Sequence, residues 1–165
     1  MAVQDWTRFL LRIPINISET KIYHAISTQD GLETWFLRQA KFKKENGADR
    51  NQNETIGKND TYEWRWFGWP DEVKEKGSIL QVNKDSIKFI FGKAGIVTFS
   101  IKNEDGTIIL ELIQSEIPSE QEAGVDYYMG CSKGWQFYMT NLKSILEGGI
   151  DLRNKNVLLK DVVNS

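Results

Sequence analysis

The sequence contains almost none of the residues from which metal centres and disulfides are built. Cys131 is the only cysteine and His24 the only histidine among 165 residues, so an internal disulfide is impossible and the usual Cys/His zinc sites cannot form. The G-x-S-x-G, P-loop and G-x-G-x-x-G motifs are also missing, which removes the commonest signatures of hydrolases and nucleotide-binding proteins. We therefore predict no metal, no cofactor and no catalytic residues.

Long apolar runs and a large excess of one charge are missing too. No stretch approaches the roughly 20 apolar residues that span a bilayer, and the first residues lack the charged start and apolar run of a signal peptide. The net charge of −2 argues against nucleic acid or an acidic membrane as the main partner. We expect a cytoplasmic protein with no nucleic-acid partner and no membrane partner.

The pattern of hydrophobic residues predicts an α+β fold. With 40% hydrophobic residues, residues 1–165 suit one domain, with a core at about 5–149 and a tail at 150–165. A strand at 8–17 is followed by two short helices, one starting after Ser18 as N-cap and one at about 30–37. Further strands are predicted at 38–44, 61–67, 77–83, 86–91, 95–102 and 107–116. Their short connections, such as Asp105-Gly106, require antiparallel hairpins.

After Pro118 the hydrophobic period changes to about 3.6, which predicts one long helix ending at Gly148-Gly149. Its apolar stripe consists of Tyr128, Cys131, Trp135, Tyr138, Leu142 and Ile145. Gly130 and Gly134 each cost about 0.5–1 kcal/mol in a helix interior, so we expect the sheet to approach the helix backbone closely there. Because the stripe and the apolar sheet face must cover each other, a curved antiparallel sheet of six or seven strands should wrap around this helix.

The isolated polar residues of the sequence do not indicate a strong candidate for a catalytic or binding site. His24 falls off the apolar face of its helix and is expected in solvent, and Cys131 is expected to act as a small hydrophobe rather than a reactive thiol. Glu63 and Arg65 can pair with neighbours across the outer sheet face; a strand twist that placed either inside would make it a polar anchor for a ligand. The apolar residues of the tail at 151–165 are expected to dock on the domain or on a partner.

Two stretches of the chain resemble the signatures of one protein family. The first, Glu19…Ile22-Tyr23…Ala25-Ile26-Ser27-Thr28…Gly31-Leu32…Trp35-Phe36, is similar to the opening of the family named after the activator of the heat-shock protein 90 ATPase. The second, Gly134-Trp135…Asn141-Leu142-Lys143…Leu146-Glu147-Gly148-Gly149, is similar to its C-terminal helix. The resemblance covers about residues 5 to 153 and implies the helix-grip fold of the START-like (polyketide cyclase, Bet v-type) superfamily. That superfamily includes lipid carriers, hydrolases, cyclases and cochaperones, so the resemblance does not imply one function.

Aromatic residues are abundant, with six Trp, five Tyr and eight Phe. The candidate ligand-binding residues are Tyr62, Trp64, Trp66, Trp69, Phe89, Phe91, Phe99, Trp135 and Tyr138. These rings either form the core or line the cavity that START-like folds hold between sheet and helix. A dry void of roughly 300 Å³ at about 24 cal/mol per Å³ would cost on the order of 7 kcal/mol, against a typical stability of about 5–15 kcal/mol. Either the rings fill the space, or a ligand or water occupies it; Trp69 either gates the mouth or caps the core.

Three functions follow, in order of preference. The first is a non-enzymatic START-like domain that binds a small apolar or aromatic ligand. The second is a cochaperone-like domain that contacts a chaperone or another protein through the outer sheet face and the apolar tail. The family's eukaryotic cochaperone makes much of its chaperone contact through a separate N-terminal domain, which we expect this chain to lack. The third is a hydrolase or cyclase that uses water polarised by buried Tyr or Glu side chains.

Overall fold

The computed structural model describes residues 2–163, and for residues 121–123 it describes the backbone only. In chain order the elements are β1 (Phe9–Pro14), α1 (Glu19–Ser27), α2 (Gln29–Trp35), β2 (Gln39–Lys43), β3 (Thr61–Arg65), β4 (Glu75–Val82), β5 (Ser86–Ile90), β6 (Ile96–Glu104), β7 (Thr107–Ser115) and α3 (Gln121–Leu146). The predicted order of a strand, two short helices, six strands and a long helix is confirmed. No helix within the described residues has the length and apolar character to cross a membrane.

All seven strands form one antiparallel sheet in the order β1-β7-β6-β5-β4-β3-β2. The two edge strands are therefore β1 and β2, and α1 and α2 carry the chain from one edge to the other. The hairpin between β6 and β7 pairs Glu104 with Thr107. Asp105 and Gly106 between them have φ of 51° and 83°, as a type I′ turn requires. The predicted helix-grip fold is confirmed.

The long helix α3 covers the inner face of the sheet. Trp135, Met139 and Leu142 are each at most 2% exposed, and the ring centroids of Trp135 and Phe99 lie 5.5 Å apart. The predicted stripe is right for Trp135 and Leu142, but it left out Met139, which is equally buried. The remaining stripe residues, Tyr128, Cys131, Tyr138 and Ile145, are half-buried.

The two short helices pack closely together and fix the position of Phe36, which follows α2. Thr28 caps α2 by accepting a hydrogen bond from the Gly31 backbone N–H at 2.9 Å, so the helix starts slightly earlier than predicted. A Cβ on Gly31 would lie 2.1 Å from the His24 carbonyl oxygen, so no side chain fits between the helices. The indole of Trp35 donates to the Ala25 carbonyl at 2.9 Å, which joins α2 to α1.

Candidate functional site

Four of the nine candidate ligand-binding residues lie in the core. Tyr62, Trp64, Phe89 and Phe99 are each at most 3% exposed. The rings of Tyr62 and Trp64 stack with their centroids 3.8 Å apart, and those of Trp64 and Phe89 meet edge to face at 5.3 Å. These rings fill the interior by packing against one another, as the first interpretation of the aromatic residues requires.

The other five candidates line a groove between α3 and the segment that follows β3. We call it the α3 groove; its inner part has a volume of about 210 Å³ and its outer part about 450 Å³. Both parts are lined by Trp66, Gly130, Gly134 and Tyr138. The inner part is also lined by Phe36, Phe91, Cys131 and Trp135. The outer part is also lined by Trp69, Lys133, Phe137 and Val163. Trp69 is 45% exposed and so lies at the mouth.

Trp66 reaches the groove because β3 ends one residue before it. The prediction of a strand to residue 67 was wrong: the strand ends at Arg65, so Trp66 need not follow the alternation of the sheet. Its ring lies 5.8 Å from that of Phe36, which also contacts Trp135 at 4.8 Å and Tyr138 at 5.0 Å. Phe36 thus contacts both walls of the groove, although its own side chain is only 2% exposed.

The pair Gly130 and Gly134 does not serve the purpose we expected. A Cβ at either position would meet no neighbouring atom within 4 Å, so the prediction that the sheet approaches the helix backbone here was wrong. The space beside the two glycines is the α3 groove, whose two parts they both line. The helix therefore has room for side chains at these positions, and glycine leaves that room open.

A buried glutamine holds the indole of Trp135 in place. Trp135 Nε1 donates to Gln114 Oε1 at 2.9 Å, and Gln114 Nε2 donates to the Ala94 carbonyl at 2.8 Å. Gln114 is fully buried, so its side-chain carbonyl oxygen depends on the Trp135 donor. A sequence signal existed, since Gln114 continues the inward alternation of Leu110 and Leu112 with a polar side chain. We did not identify it from the sequence.

The groove offers little chemistry beyond binding. Burial, assisted by the Glu75 carboxylate, raises the pKa of the Cys131 thiol, although a hydrogen bond with Gln114 opposes the shift. The thiol is thus a poor nucleophile. Burial likewise raises the pKa of Tyr138 far above its usual value. No histidine or carboxylate lines either part of the groove, and residues 2–163 contain no cluster of side chains suited to a metal ion.

The remaining polar predictions are correct. His24 is exposed on α1. Arg65 Nη1 lies 2.6 Å from Glu63 Oε1, and Lys74 and Lys76 approach the same carboxylate. The Glu63 and Arg65 pair therefore lies on the outer face of the sheet and does not reach the α3 groove.

The chain after α3 is fastened by Arg153, whose side chain is only 4% exposed. Its guanidinium donates to the carbonyl groups of Glu33 and Thr34 in the last turn of α2 and of Leu37 just after it, at 2.8–3.1 Å, where a helix leaves carbonyls free. It also lies 5.0 Å above the ring of Phe67. Arg153 therefore ties the segment that carries Trp66 to α2.

The tail thus docks on the domain through Arg153, a residue that was not among the sequence predictions. Asp151 accepts two hydrogen bonds from the Arg153 side chain at 2.9 and 2.8 Å. Asn141 on α3 accepts from the Leu152 backbone N–H at 2.7 Å. The apolar residues expected to dock are mostly outside: Leu158 is 82% and Val163 79% exposed.

The Asp151 carboxylate should make stability depend on pH. Burial alone would raise the pKa of Asp151, but hydrogen bonds from Arg153 and Lys155 outweigh it and hold the pKa well below its usual value. A lowered pKa contributes stability above the unfolded pKa of about 3.9, and the contribution is lost as the pH falls below it. We expect Asp151→Asn to lower the free energy of unfolding by about 1 kcal/mol at pH 7.

The loss should be clearly smaller at pH 2.5, as measured by urea unfolding at both values. Asp49→Asn is the matched control, because Asp49 is 84% exposed in its pair with Lys43 and should change little at either pH. An Asp151→Asn loss of equal size at both pH values would contradict the assignment.

Comparison with known proteins agrees with this architecture. Residues 16–147 match the family model of the activator of Hsp90 ATPase homolog 1-like protein. No curated protein sequence matches the chain. Among solved structures, the protein SSP2350 from Staphylococcus saprophyticus superposes with a TM-score of 0.67 at 15% identity, covering 89% of this chain and 96% of its own.

Two further structures are similar. The Aha1 dimer from Colwellia psychrerythraea has a TM-score of 0.63 at 17% identity, with 86% of this chain and 97% of that chain covered. DynU16, described as a putative protein in the dynemicin biosynthetic locus, has a TM-score of 0.64 at 14% identity, with 86% of this chain and 48% of that chain covered. At such identities the structures show a shared fold, and the family model covers most of the sequence. The chain belongs to the activator of Hsp90 ATPase homolog 1-like family, with the START-like helix-grip fold.

Proposed function

We propose that this protein binds a small apolar or aromatic molecule in the α3 groove without transforming it. The observation that carries the proposal is the pair of glycines at positions 130 and 134. Together they cost the helix about 1–2 kcal/mol relative to alanine, and a Cβ at either position would have no neighbouring atom of the described chain within 4 Å. An unfilled apolar space of this kind is most simply explained by a ligand.

The size and lining of the groove define the ligand further. The inner part, at about 210 Å³, is smaller than the roughly 300–1,000 Å³ typical of ligand sites, so it suits one or two fused rings. Trp66, Phe91 and Trp135 all line this part, and the ring centroids of Phe91 and Trp135 lie 5.3 Å apart. A planar ring packed against these side chains would gain about 0.5–1.5 kcal/mol for each aromatic pair beyond its area burial.

Filling the groove with a side chain tests the proposal. We expect Gly134→Leu to weaken binding of a neutral aromatic probe, 2-naphthalenemethanol, by at least tenfold, because the leucine occupies the inner part. The free energy of unfolding should stay equal or rise by about 0.5–1 kcal/mol, since leucine is the better helix former. Isothermal titration calorimetry measures the first quantity and urea unfolding the second.

Thr140→Leu is the matched control. Thr140 is exposed on the same helix, outside the lining of the groove, and the substitution should leave the affinity unchanged. The proposal fails if the unmodified protein shows no saturable binding below millimolar probe concentration, or if Gly134→Leu binds the probe as well as the unmodified protein does.

A cochaperone-like interaction is the second candidate, and the exposed tail favours it. Val157 and Leu159 are each 47% exposed, and Leu158 and Val163 more so, which is unusual for apolar residues so close in sequence. Arg153 would keep the domain intact if the chain ended at Lys155. Binding of a purified heat-shock protein 90 homologue to the full chain but not to that shortened chain would support this role. Equal binding by the two chains, or no binding by either, would contradict a cochaperone-like role for the tail.

A further inference from the structure

We infer that the ligand of the α3 groove is an acid: an aromatic or alkyl carboxylate whose ring or chain fills the inner part and whose carboxylate lies at Lys133. This inference rests on the proposed function. It adds the chemical class of the ligand and its direction in the groove.

Lys133 places an unneutralised positive charge in the outer part of the groove. It lines that part together with Trp69 and Phe137, and none of the ion pairs in residues 2–163 includes it. The residues three and four positions away on α3, which would be its helical neighbours, are Met129, Gly130, Gln136 and Phe137. None of them is acidic, so the helix supplies no partner for the ammonium group.

The other polar groups of the groove are also hydrogen-bond donors. Trp66, Trp69 and Tyr138 line the groove, and neither of the two indole N–H groups nor the Tyr138 hydroxyl donates to an acceptor in the described chain. Indole and ammonium groups can only donate. A tyrosine hydroxyl is protonated near neutral pH, because its ordinary pKa is about 10, so Tyr138 can donate. A ligand that forms hydrogen bonds with these donors must carry hydrogen-bond acceptors, and a carboxylate, with two acceptor oxygens and a negative charge, suits them best.

The orientation of the ligand in the groove follows from the free-energy cost of burying its charge. The inner part, which Phe36, Phe91 and Trp135 help to line, exposes almost only apolar surface, and an unpaired carboxylate against such a surface is disfavoured. The outer part opens to solvent beside Trp69, which is 45% exposed. The apolar end of the ligand therefore lies inside, beside the two glycines. Its charged end lies outside, where Lys133 can extend its aliphatic chain over the apolar wall and keep its ammonium in water.

An isosteric pair of probes tests the inference. We expect the unmodified protein to bind 2-naphthoate about fivefold more tightly than neutral 2-naphthamide, the effect of one partly exposed ion pair. Lys133→Met should abolish this preference while leaving the affinity for the amide unchanged. In about 1 M salt the preference of the unmodified protein should also shrink, because the charges are then screened. Isothermal titration calorimetry measures the affinities for both probes in each of these three cases: the unmodified protein, the variant, and the unmodified protein in high salt.

Lys84→Met is the control for net charge. Lys84 is exposed in the turn between β4 and β5, so this variant loses the same charge and should keep the full preference for the acid. Equal affinities of the unmodified protein for the two probes, or a preference that survives Lys133→Met, would overturn the inference and leave the proposed function standing. Failure of both probes to bind would overturn the proposed function and this inference together.

Discussion

Replacing Trp135 with alanine is expected to lower the free energy of unfolding by about 3–5 kcal/mol, the range for deleting a large buried aromatic side chain. The side chain is 2% exposed and its ring contacts those of Phe36, Phe91 and Phe99 at 4.8–5.5 Å. The substitution also leaves Gln114 Oε1 buried without its donor, and an unsatisfied buried acceptor costs about 1–3 kcal/mol. The loss should therefore fall in the upper half of the range.

Urea unfolding followed by circular dichroism measures this loss without depending on tryptophan fluorescence. Trp69→Ala is the matched control, because Trp69 is 45% exposed and its removal should cost less than about 1 kcal/mol. A Trp135→Ala loss as small as that of the control would mean that α3 does not lie across the sheet with this face inward.

The second large effect is expected at Arg153. Its replacement by alanine removes the donors to two carbonyl groups of α2 and to that of Leu37, and it removes the partner of Asp151. Breaking a fully buried pair costs about 3–5 kcal/mol, but Asp151 is 25% exposed and can be hydrated. We therefore expect a loss of about 2–3 kcal/mol, measured by urea unfolding.

Lys155→Ala controls for the general effect of removing a positive charge from the tail. Lys155 pairs with the same Asp151 at 3.1 Å and is 54% exposed, so its removal should cost less than about 1 kcal/mol. Arg153→Ala should also weaken probe binding in the α3 groove, because the segment carrying Trp66 and Trp69 loses its attachment to α2. Equal losses from the two substitutions would show that Arg153 acts only as a surface charge.

The fold was largely predictable because its signals are local. Alternating apolar residues in β6 and β7 identify the strands, and Asp105-Gly106 defines the turn between them. Ser18 marks the start of α1, and the positive φ of 88° at Gly148 ends α3 where the sequence indicates. Each of these features depends on residues a few positions apart, so the chain carries them before any tertiary contact forms.

The candidate site was predictable only in part. The aromatic residues were identified, but the alternation that groups Tyr62, Trp64 and Trp66 does not reveal that β3 ends at Arg65. It therefore could not separate rings that fill the core from rings that line the groove. The glycines at 130 and 134 were noticed for the right reason, their cost in a helix. Their purpose was misread because the sequence does not show whether an atom or a space lies beside them.

By itself the sequence determined the class of fold and the order of its elements. Only the tertiary structure decided where space remains and what closes the fold: the gap beside α3, the bond between Gln114 and Trp135, and the attachment of Arg153 to Leu37, 116 positions away. The physical reason is that packing density and buried hydrogen bonds depend on contacts between residues distant in the chain. A local sequence pattern does not indicate which distant residues will be in contact.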